Sequence, residues 1–122
     1  MRRLRLATLA AGLALVAGLG LTACAAEPVA VGADTVIVDV RTPDEYASGH
    51  LDSAINIDLQ SGAFEQEIQQ LPVDGDYVVY CRSGNRSAQA AAIMAGLGFE
   101  NVTDAGGIQS ASGATGLPIV TG

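Results

Sequence analysis

The apolar positions of the chain form short strand-like runs that alternate with segments of helical spacing. The predicted strands occupy residues 35–40, 54–57, 77–80 and 101–104. The predicted helices follow Thr42 and cover residues 61–71 and 87–97. This alternation predicts an α/β fold, with an open sheet of about four to five mostly parallel strands flanked by helices. The Gly- and Ser-rich stretch from Ser110 is interpreted as a tail.

The most specific local signal is the start of the first helix. Thr42 has the side chain of an N-cap, Pro43 suits the first turn, and Glu45 completes a capping box. Gly49 follows soon afterwards, so this helix is predicted to be short.

The first 24 residues carry a different pattern. Three Arg residues in the first five positions precede an uncharged stretch at 6–21, and the segment ends in the sequence Leu21-Thr22-Ala23-Cys24. A positive start, an apolar stretch and a small-residue end predict an export signal. About 16 apolar residues fall short of the roughly 20 that a membrane span needs. The ending resembles the bacterial lipobox; the alternative is an ordinary signal peptide with an accidental Cys.

The lipobox resemblance implies a division of the chain and a location for the protein. We expect residues 1–23 to be a lipoprotein signal peptide, 24–34 a tether, and 35–122 the folded domain. The protein would be exported and anchored to the cell membrane by lipid on Cys24, facing the periplasm or the cell exterior. An acylated Cys24 cannot form a disulfide, so Cys81 would remain as a free thiol.

The charge of the chain narrows the possible functions. The 122 residues allow one domain, and the net charge of −7 excludes a nucleic-acid binder that works through a basic surface. Without the leader, three Arg remain against thirteen acids, a net charge of −10. Two of these three bases, Arg82 and Arg86, lie within five residues of Cys81. The loop after Cys81 is therefore the candidate site for an anionic ligand.

The position of Cys81 indicates a reactive thiol. The predicted strand at 77–80 runs directly into Cys81, and the polar loop at 82–86 then enters a helix. Ligands of open α/β sheets bind beyond the carboxyl ends of the strands, and a helix N-terminus attracts anions. We therefore expect the pKa of this thiol to be lowered. One His and one free Cys cannot build a zinc site, so neither a metal nor a cofactor is expected.

Residues 81–87, Cys-Arg-Ser-Gly-Asn-Arg-Ser, closely resemble the active-site loop of rhodanese-like sulfurtransferases. Other pieces resemble the family in the same order, namely Asp39-Val40-Arg41, Glu45-Tyr46, Gly49-His50-Leu51, Ala54-Ile55-Asn56-Ile57, Gly106-Gly107-Ile108 and Gly116-Leu117-Pro118. The resemblance covers about residues 35–119 and implies a rhodanese-like sheet. The family often has an aromatic residue shortly after the glycine pair, whereas this chain has Gln109, Ser110 and Ala111 there and no Trp.

The resemblance also implies the chemistry of the loop. Cys81 would take a sulfane sulfur from thiosulfate or a similar small anionic donor and pass it, as a persulfide, to a thiol or to cyanide. The residues implied to bind the donor and the persulfide follow directly: Arg82, Ser83, Gly84, Asn85, Arg86 and Ser87. Arg82 and Arg86 would bind the donor through their charge, and the backbone N–H groups would cradle the persulfide.

Two residues of the Asp39-Val40-Arg41 segment are expected to support the site. Arg41 is expected to be an ion-paired organiser of the site, and Asp39 is expected to bond to backbone near the loop. His50 is interpreted as structural, and Tyr46, Tyr77 and Tyr80 as packing residues.

Loop length separates the possible reactions. Phosphatase-type loops place an Arg six residues after the Cys, whereas Arg86 is five residues after Cys81 and Ser87 is the sixth. The shorter loop argues against a phosphatase or an arsenate reductase. A non-catalytic rhodanese-like binding or sensing module and a thiol redox relay remain as alternatives to sulfur transfer.

Overall fold

A computed structural model describes residues 27–122. Its strands are β1 (Thr35–Asp39), β2 (His50–Leu51), β3 (Ile55–Asn56), β4 (Asp76–Cys81), β5 (Asn101–Gly107) and β6 (Ile119–Val120). Its helices are α1 (Pro43–Ser48), α2 (Phe64–Ile68), α3 (Asn85–Gly96) and α4 (Ile108–Thr115). Over this range no helix combines the length and the apolar character needed to cross a membrane. The predicted signal peptide and Cys24 lie outside the described residues.

The main sheet has four parallel strands in the order β3-β1-β4-β5, which confirms the predicted α/β fold. β1 and β4 pair in register from Thr35 opposite Asp76 to Asp39 opposite Tyr80. The pairing of β4 with β5 is irregular between Val79 and Cys81, and Cys81 lies opposite Gly107. The ends of β1, β4 and β5 therefore meet at one edge of the sheet, and the thiol lies there.

Both faces of the sheet are buried, which explains the continuous apolar runs of the central strands. Tyr77 and Val79 face one core cluster, which packs against α2 and α3. Val78 and Tyr80 face the other cluster, which includes Ala111 of α4. Because successive strand residues point to opposite faces, each residue of β4 from Tyr77 to Tyr80 contributes to one of the two cores.

The first helix begins as its sequence predicts. Thr42 Oγ1 accepts from the N–H of Glu45 at 3.3 Å, and Glu45 Oε1 accepts from the N–H of Thr42 at 3.4 Å. The capping box is thus complete, and Pro43 lies in the first turn. The N–H of Gly49, just after the helix, donates to the Tyr46 carbonyl at 3.1 Å.

Several element boundaries differ from prediction. α2 covers Phe64–Ile68 rather than 61–71, because Ser61 bonds locally: its hydroxyl donates to the Asp58 carbonyl and accepts from the N–H of Ala63. Such bonds by a Ser side chain compete with helix formation. α3 begins at Asn85, so the predicted loop at 82–86 was too long and its last two residues belong to the first helical turn.

The stretch interpreted as a tail is folded. Residues from Ile108 to Thr115 form α4, with Ala111 and Ala114 buried. β6 pairs antiparallel with β2, placing His50 opposite Val120. The interpretation was wrong because small residues have little apolar signal, although they let a helix pack closely on a sheet.

Part of the predicted tether contacts the domain. The N–H of Val29 donates to the Ala114 carbonyl of α4 at 2.9 Å. Val29 and Val31 also pack against the core cluster that contains Ala111.

Candidate active site

Cys81 is the last residue of β4, and its side chain is fully buried, with 0% exposure. The N–H of Gly84 donates to Cys81 Sγ at 2.9 Å, and the Ser87 hydroxyl oxygen lies 3.4 Å from the sulfur. Gly84 has φ of 108°, a left-handed conformation that glycine adopts without a steric penalty. The glycine thus allows the chain to turn back toward the sulfur within three residues.

The hydrogen bonds around the sulfur favour its thiolate form. Burial raises the pKa of the Cys81 thiol, but its hydrogen bonding with the Ser87 side chain and with backbone N–H groups outweighs the effect of burial. The backbone donors belong to Ser87, Gly84 and Ser83, and the net effect is a pKa below the ordinary value. A thiolate is the nucleophilic form of cysteine. The local structure therefore supports a nucleophile without an adjacent His or carboxylate base.

The glycine pair at the end of β5 packs against the Cys81 loop. A Cβ atom at Gly107 would lie only 2.6 Å from the carbonyl oxygen of Arg82 and 3.3 Å from Ser83 Cα. A Cβ atom at Gly84 would lie 3.9 Å from Gly106 Cα. The absence of side chains thus lets two backbones approach closely. Sequence reasoning identified the pair only by resemblance and did not anticipate this contact.

Arg86 forms an ion pair with Glu45. Its Nη1 lies 2.7 Å from Glu45 Oε1 and its Nη2 lies 2.9 Å from Oε2, so the contact is bidentate. The side chains are 19% and 26% exposed, respectively. The Arg86 guanidinium holds the pKa of the Glu45 carboxyl at about 2. The sequence analysis expected Arg86 to bind the donor, but its charge is compensated by the Glu45 carboxylate, a contact that the sequence did not predict.

The other predicted loop residues are at the surface. The side chains of Arg82, Ser83 and Asn85 are exposed. The Arg82 side chain has no hydrogen bond or ion pair with any residue in the described range 27–122. Its guanidinium is therefore available to a ligand from solution.

The ion pair expected between Arg41 and Asp39 is present and buried. Arg41 Nη2 lies 2.6 Å from Asp39 Oδ2 and donates to the Gly49 carbonyl, also at 2.6 Å. The hydroxyl of Tyr80 donates to Asp39 Oδ2 at 2.7 Å and accepts from the N–H of Leu51 at 2.9 Å. Tyr80 is thus more than a packing residue, because it links β4 to Asp39 of β1 and to Leu51 of β2.

The carboxylate of Asp39 bonds to backbone in its own segment of the chain. The backbone N–H that bonds to its carboxylate belongs to Arg41, two residues away, and not to the Cys81 loop. A buried carboxylate needs donors close to its charge, and here Arg41 and the Tyr80 hydroxyl supply them. Asp39 therefore organises the segment beside the loop.

His50 has a structural environment. Its Nδ1 lies 2.9 Å from the carbonyl oxygen of Tyr46, and its ring stacks on the Tyr46 ring with a centroid distance of 3.8 Å. Since a carbonyl can only accept, Nδ1 is the donor. Tyr46 in turn donates its hydroxyl to the Ala54 carbonyl at 2.6 Å. Within residues 27–122, no group of three His, Cys, Asp or Glu side chains is placed to hold a metal ion.

Two cavities in the described part of the chain lie apart from the thiol. One, of about 480 Å³, lies between the segment 27–30 and β5. The other, of about 350 Å³, lies between α3 and the residues around Phe64. Neither is lined by Cys81 or by residues 82–87.

Comparison with known proteins decides the family. The family model described as the Rhodanese-like domain matches residues 25–112 of the chain. The chain belongs to the rhodanese-like family. The parallel sheet and the loop that follows β4 are therefore parts of a rhodanese-like domain.

Individual relatives agree with this assignment. A sulfurtransferase of Allochromatium vinosum is 38% identical over 87 residues, which cover 71% of this chain and 79% of that protein. The thiosulfate sulfurtransferase GlpE of Pseudomonas entomophila is 42% identical over 67 residues, or 55% of this chain and 60% of that protein. A solved structure of a rhodanese with anions from E. coli is 31% identical with a TM-score of 0.61, covering 72% of this chain and 99% of the other.

Proposed function

We propose that this rhodanese-like domain transfers sulfane sulfur from thiosulfate, or from a similar small anionic donor, through a persulfide on Cys81. The acceptor is a thiol or cyanide. The observation that carries the proposal is the environment of Cys81: its buried sulfur accepts from the N–H of Gly84 at 2.9 Å and lies 3.4 Å from the Ser87 hydroxyl oxygen. Hydrogen bonding within the loop lowers the pKa of this thiol. The names of the relatives, sulfurtransferase and thiosulfate sulfurtransferase, support the same chemistry.

The first half-reaction loads the enzyme. The Cys81 thiolate attacks the outer sulfur of thiosulfate, a new S–S bond forms to Cys81, and the S–S bond of the donor breaks. The electron pair of the broken bond leaves with sulfite, and the enzyme holds a Cys81 persulfide anion. The Cys81 sulfur is oxidised to the level of a persulfide while the sulfonate sulfur of the donor is reduced to that of sulfite, so no external oxidant or cofactor takes part.

The second half-reaction transfers the sulfur from the Cys81 persulfide to the acceptor. A thiolate or cyanide attacks the outer sulfur of the persulfide, whose S–S bond breaks and returns its electron pair to Cys81. The products are an acceptor persulfide or thiocyanate and the original Cys81 thiolate. The N–H donors that stabilise the thiolate would also stabilise the persulfide anion, while Arg82 attracts the donor.

Replacement of the nucleophile tests the proposal. Cys81→Ser should abolish thiosulfate:cyanide activity, and mass spectrometry of the unmodified enzyme after thiosulfate treatment should show the added mass of one sulfur atom on Cys81. Ser48→Cys, at an exposed position of α1, is the control for a generic surface thiol and should not restore activity to Cys81→Ser. Persistence of activity in Cys81→Ser, or no sulfur adduct under non-reducing conditions, would contradict sulfur transfer and favour a binding or redox role.

We also propose that the protein is exported and held at the membrane by lipid on Cys24. The support is the sequence of the first 24 residues, with its cationic start, apolar stretch and lipobox-like end. Metabolic labelling with a fatty acid should label the wild type and Cys81→Ser but not Cys24→Ser. Equal labelling of the wild type and Cys24→Ser would contradict the proposal.

A further inference from the structure

The described part of the chain has very few cations. Residues 27–122 contain three Arg and no Lys, against thirteen acids. Arg41 is paired with Asp39, and Arg86 is paired with Glu45. In this range Arg82 is thus the one Arg side chain without a carboxylate partner. The candidate active site therefore has one uncompensated cation, not the two that its sequence shows.

The carboxylate that compensates Arg86 is held firmly in place. Glu45 is the third residue of α1, where its Oε1 accepts from the N–H of Thr42 at 3.4 Å and from the Thr42 hydroxyl at 3.1 Å. Thr42 follows Arg41, whose guanidinium is bonded to Asp39. The segment between the end of β1 and the first turn of α1 thus holds the Glu45 carboxylate in place. Both terminal nitrogens of Arg86 donate to this carboxylate.

The same ion pair lies close to the reacting sulfur. Arg86 is next to Ser87, whose hydroxyl oxygen is 3.4 Å from Cys81 Sγ. The pKa of Arg86 is raised first by its hydrogen bond to Glu45, and the charge of Cys81 also contributes. The charges of Arg86 and Glu45 therefore contribute to the electrostatic potential at the position where the donor meets the Cys81 thiolate.

We propose that Glu45 is a positioning residue that sets the charge preference of the donor site. By neutralising Arg86, it leaves Arg82 as the only cation for the donor, which favours monoanionic sulfane donors over dianionic thiosulfate. Organic thiosulfonates and organic persulfides are donors of this class. The inference rests on the proposed sulfur-transfer function, and it specifies the charge of the donor that the site prefers.

The test compares two donors that differ by one charge. Thiosulfate is a dianion, and methanethiosulfonate is a monoanion with the same outer sulfur. Attack by Cys81 on that sulfur breaks the same S–S bond, and methanesulfinate leaves with the electron pair. The readout is the ratio of kcat/KM for thiosulfate to kcat/KM for methanethiosulfonate, each with cyanide as acceptor.

Glu45→Gln is the decisive variant, because Gln also completes a capping box and the helix start should persist. The freed Arg86 should raise the donor ratio about tenfold, equivalent to about 1.4 kcal/mol, the order expected for one added charge pair near a protein surface. A purely structural loosening of the loop would instead lower both kcat/KM values and leave their ratio unchanged.

Two further variants keep the inference falsifiable. Glu45→Gln combined with Arg86→Gln removes both charges and should return the ratio to within about threefold of the wild type, since the pair has no net charge either when intact or when both residues are neutral. Glu100→Gln removes one exposed acid next to the start of β5, at the opposite end of the strand from Gly107, and should leave the ratio unchanged.

The outcomes separate the two proposals. No sulfur transfer from either donor by the wild type would overturn the proposed function itself. Sulfur transfer by the wild type with an unchanged or lower ratio in Glu45→Gln would overturn the role of Glu45 alone. If the ratio rises in both Glu45→Gln and Glu100→Gln, the cause is the change in net charge, and this result would also overturn the role of Glu45.

Discussion

At the scale of single residues, Ser87 is the side chain that most directly controls the thiol. Its hydroxyl donates to the Gly84 carbonyl at 3.0 Å in the conformation with a protonated thiol, and its oxygen is 3.4 Å from Cys81 Sγ. When the thiol ionises, the hydroxyl can turn and donate to the sulfur. This switch favours the thiolate, because hydrogen bonds to a charged group are stronger than those to a neutral one.

We therefore predict that Ser87→Ala raises the pKa of the Cys81 thiol. The thiolate is the base form, so the pH dependence of alkylation by iodoacetamide should shift to higher pH. Sulfur transfer at neutral pH should fall about tenfold, the order of one hydrogen bond to a charged group, about 1.5 kcal/mol. Ser110→Ala, at an exposed position of α4, is the matched control and should leave the profile unchanged. An identical alkylation profile for Ser87→Ala would contradict this role.

The site residues could be predicted from the sequence where the interacting residues are close together in the chain. Cys81 and the N–H donors of the loop lie within seven consecutive residues, and the glycine that turns the loop is among them. The ion pair of Arg86 with Glu45 joins residues 41 apart, so no local pattern indicates it. Each of the two has a plausible local role, in the loop and in the capping box, and only the fold shows that they meet.

At the scale of elements, the contact between the Cys81 loop and the end of β5 holds the site together. Gly107 lies opposite Cys81 in the strand pairing, and its missing side chain makes room for the Arg82 carbonyl. Its φ is −73°, so any residue could adopt the backbone conformation, and the requirement for glycine is purely steric. Backbone atoms cannot move aside as the end of a flexible side chain can.

Gly107→Ala should therefore displace the loop rather than the strand. Its Cβ would lie 2.6 Å from the Arg82 carbonyl oxygen, and relief should cost about 1–3 kcal/mol of stability, as overpacking usually does. We expect sulfur transfer to fall more than tenfold while circular dichroism remains native, because the N–H groups no longer converge on Sγ.

Gly113→Ala is the control for this prediction. Gly113 is exposed within α4 and a Cβ there would meet nothing within 4 Å, so Ala should stabilise the helix by about 0.5–1 kcal/mol without changing activity. Thermal unfolding and thiosulfate:cyanide assays of both variants provide the comparison. Wild-type activity in Gly107→Ala would show that the loop tolerates displacement.

The elements that sequence reasoning found and missed follow one physical rule. The central strands were predicted because both of their faces are buried, which requires continuous apolar runs. α4 and β6 were missed because they contribute small or few apolar side chains. α4 buries Ala111 and Ala114, and β6 has only Ile119 and Val120 against β2. Their stability comes from tertiary contacts that a local pattern does not contain.

At the scale of the whole molecule, the site is locally positive on an acidic body. The described residues carry three Arg against thirteen acids, a net charge of −10, and two of those Arg are neutralised in ion pairs. An anionic donor is therefore repelled at a distance and attracted only close to Arg82. The two effects respond differently to salt, because the Debye length falls from about 30 Å at 0.01 M to about 8 Å at physiological ionic strength.

This difference predicts an unusual salt dependence. Raising the ionic strength from about 0.01 M to about 0.15 M should remove most of the long-range repulsion but little of the contact attraction, which acts within a Debye length. We expect kcat/KM for thiosulfate to rise several-fold over this range, in contrast to the fall seen when long-range attraction steers a ligand. Methanethiosulfonate, with half the charge, should show about half the slope on a logarithmic scale, since the Coulomb energy is proportional to ligand charge. A kcat/KM that falls with salt for both donors would mean that Arg82 and the loop dominate at long range, and that the acidic body does not influence the approach of the donor.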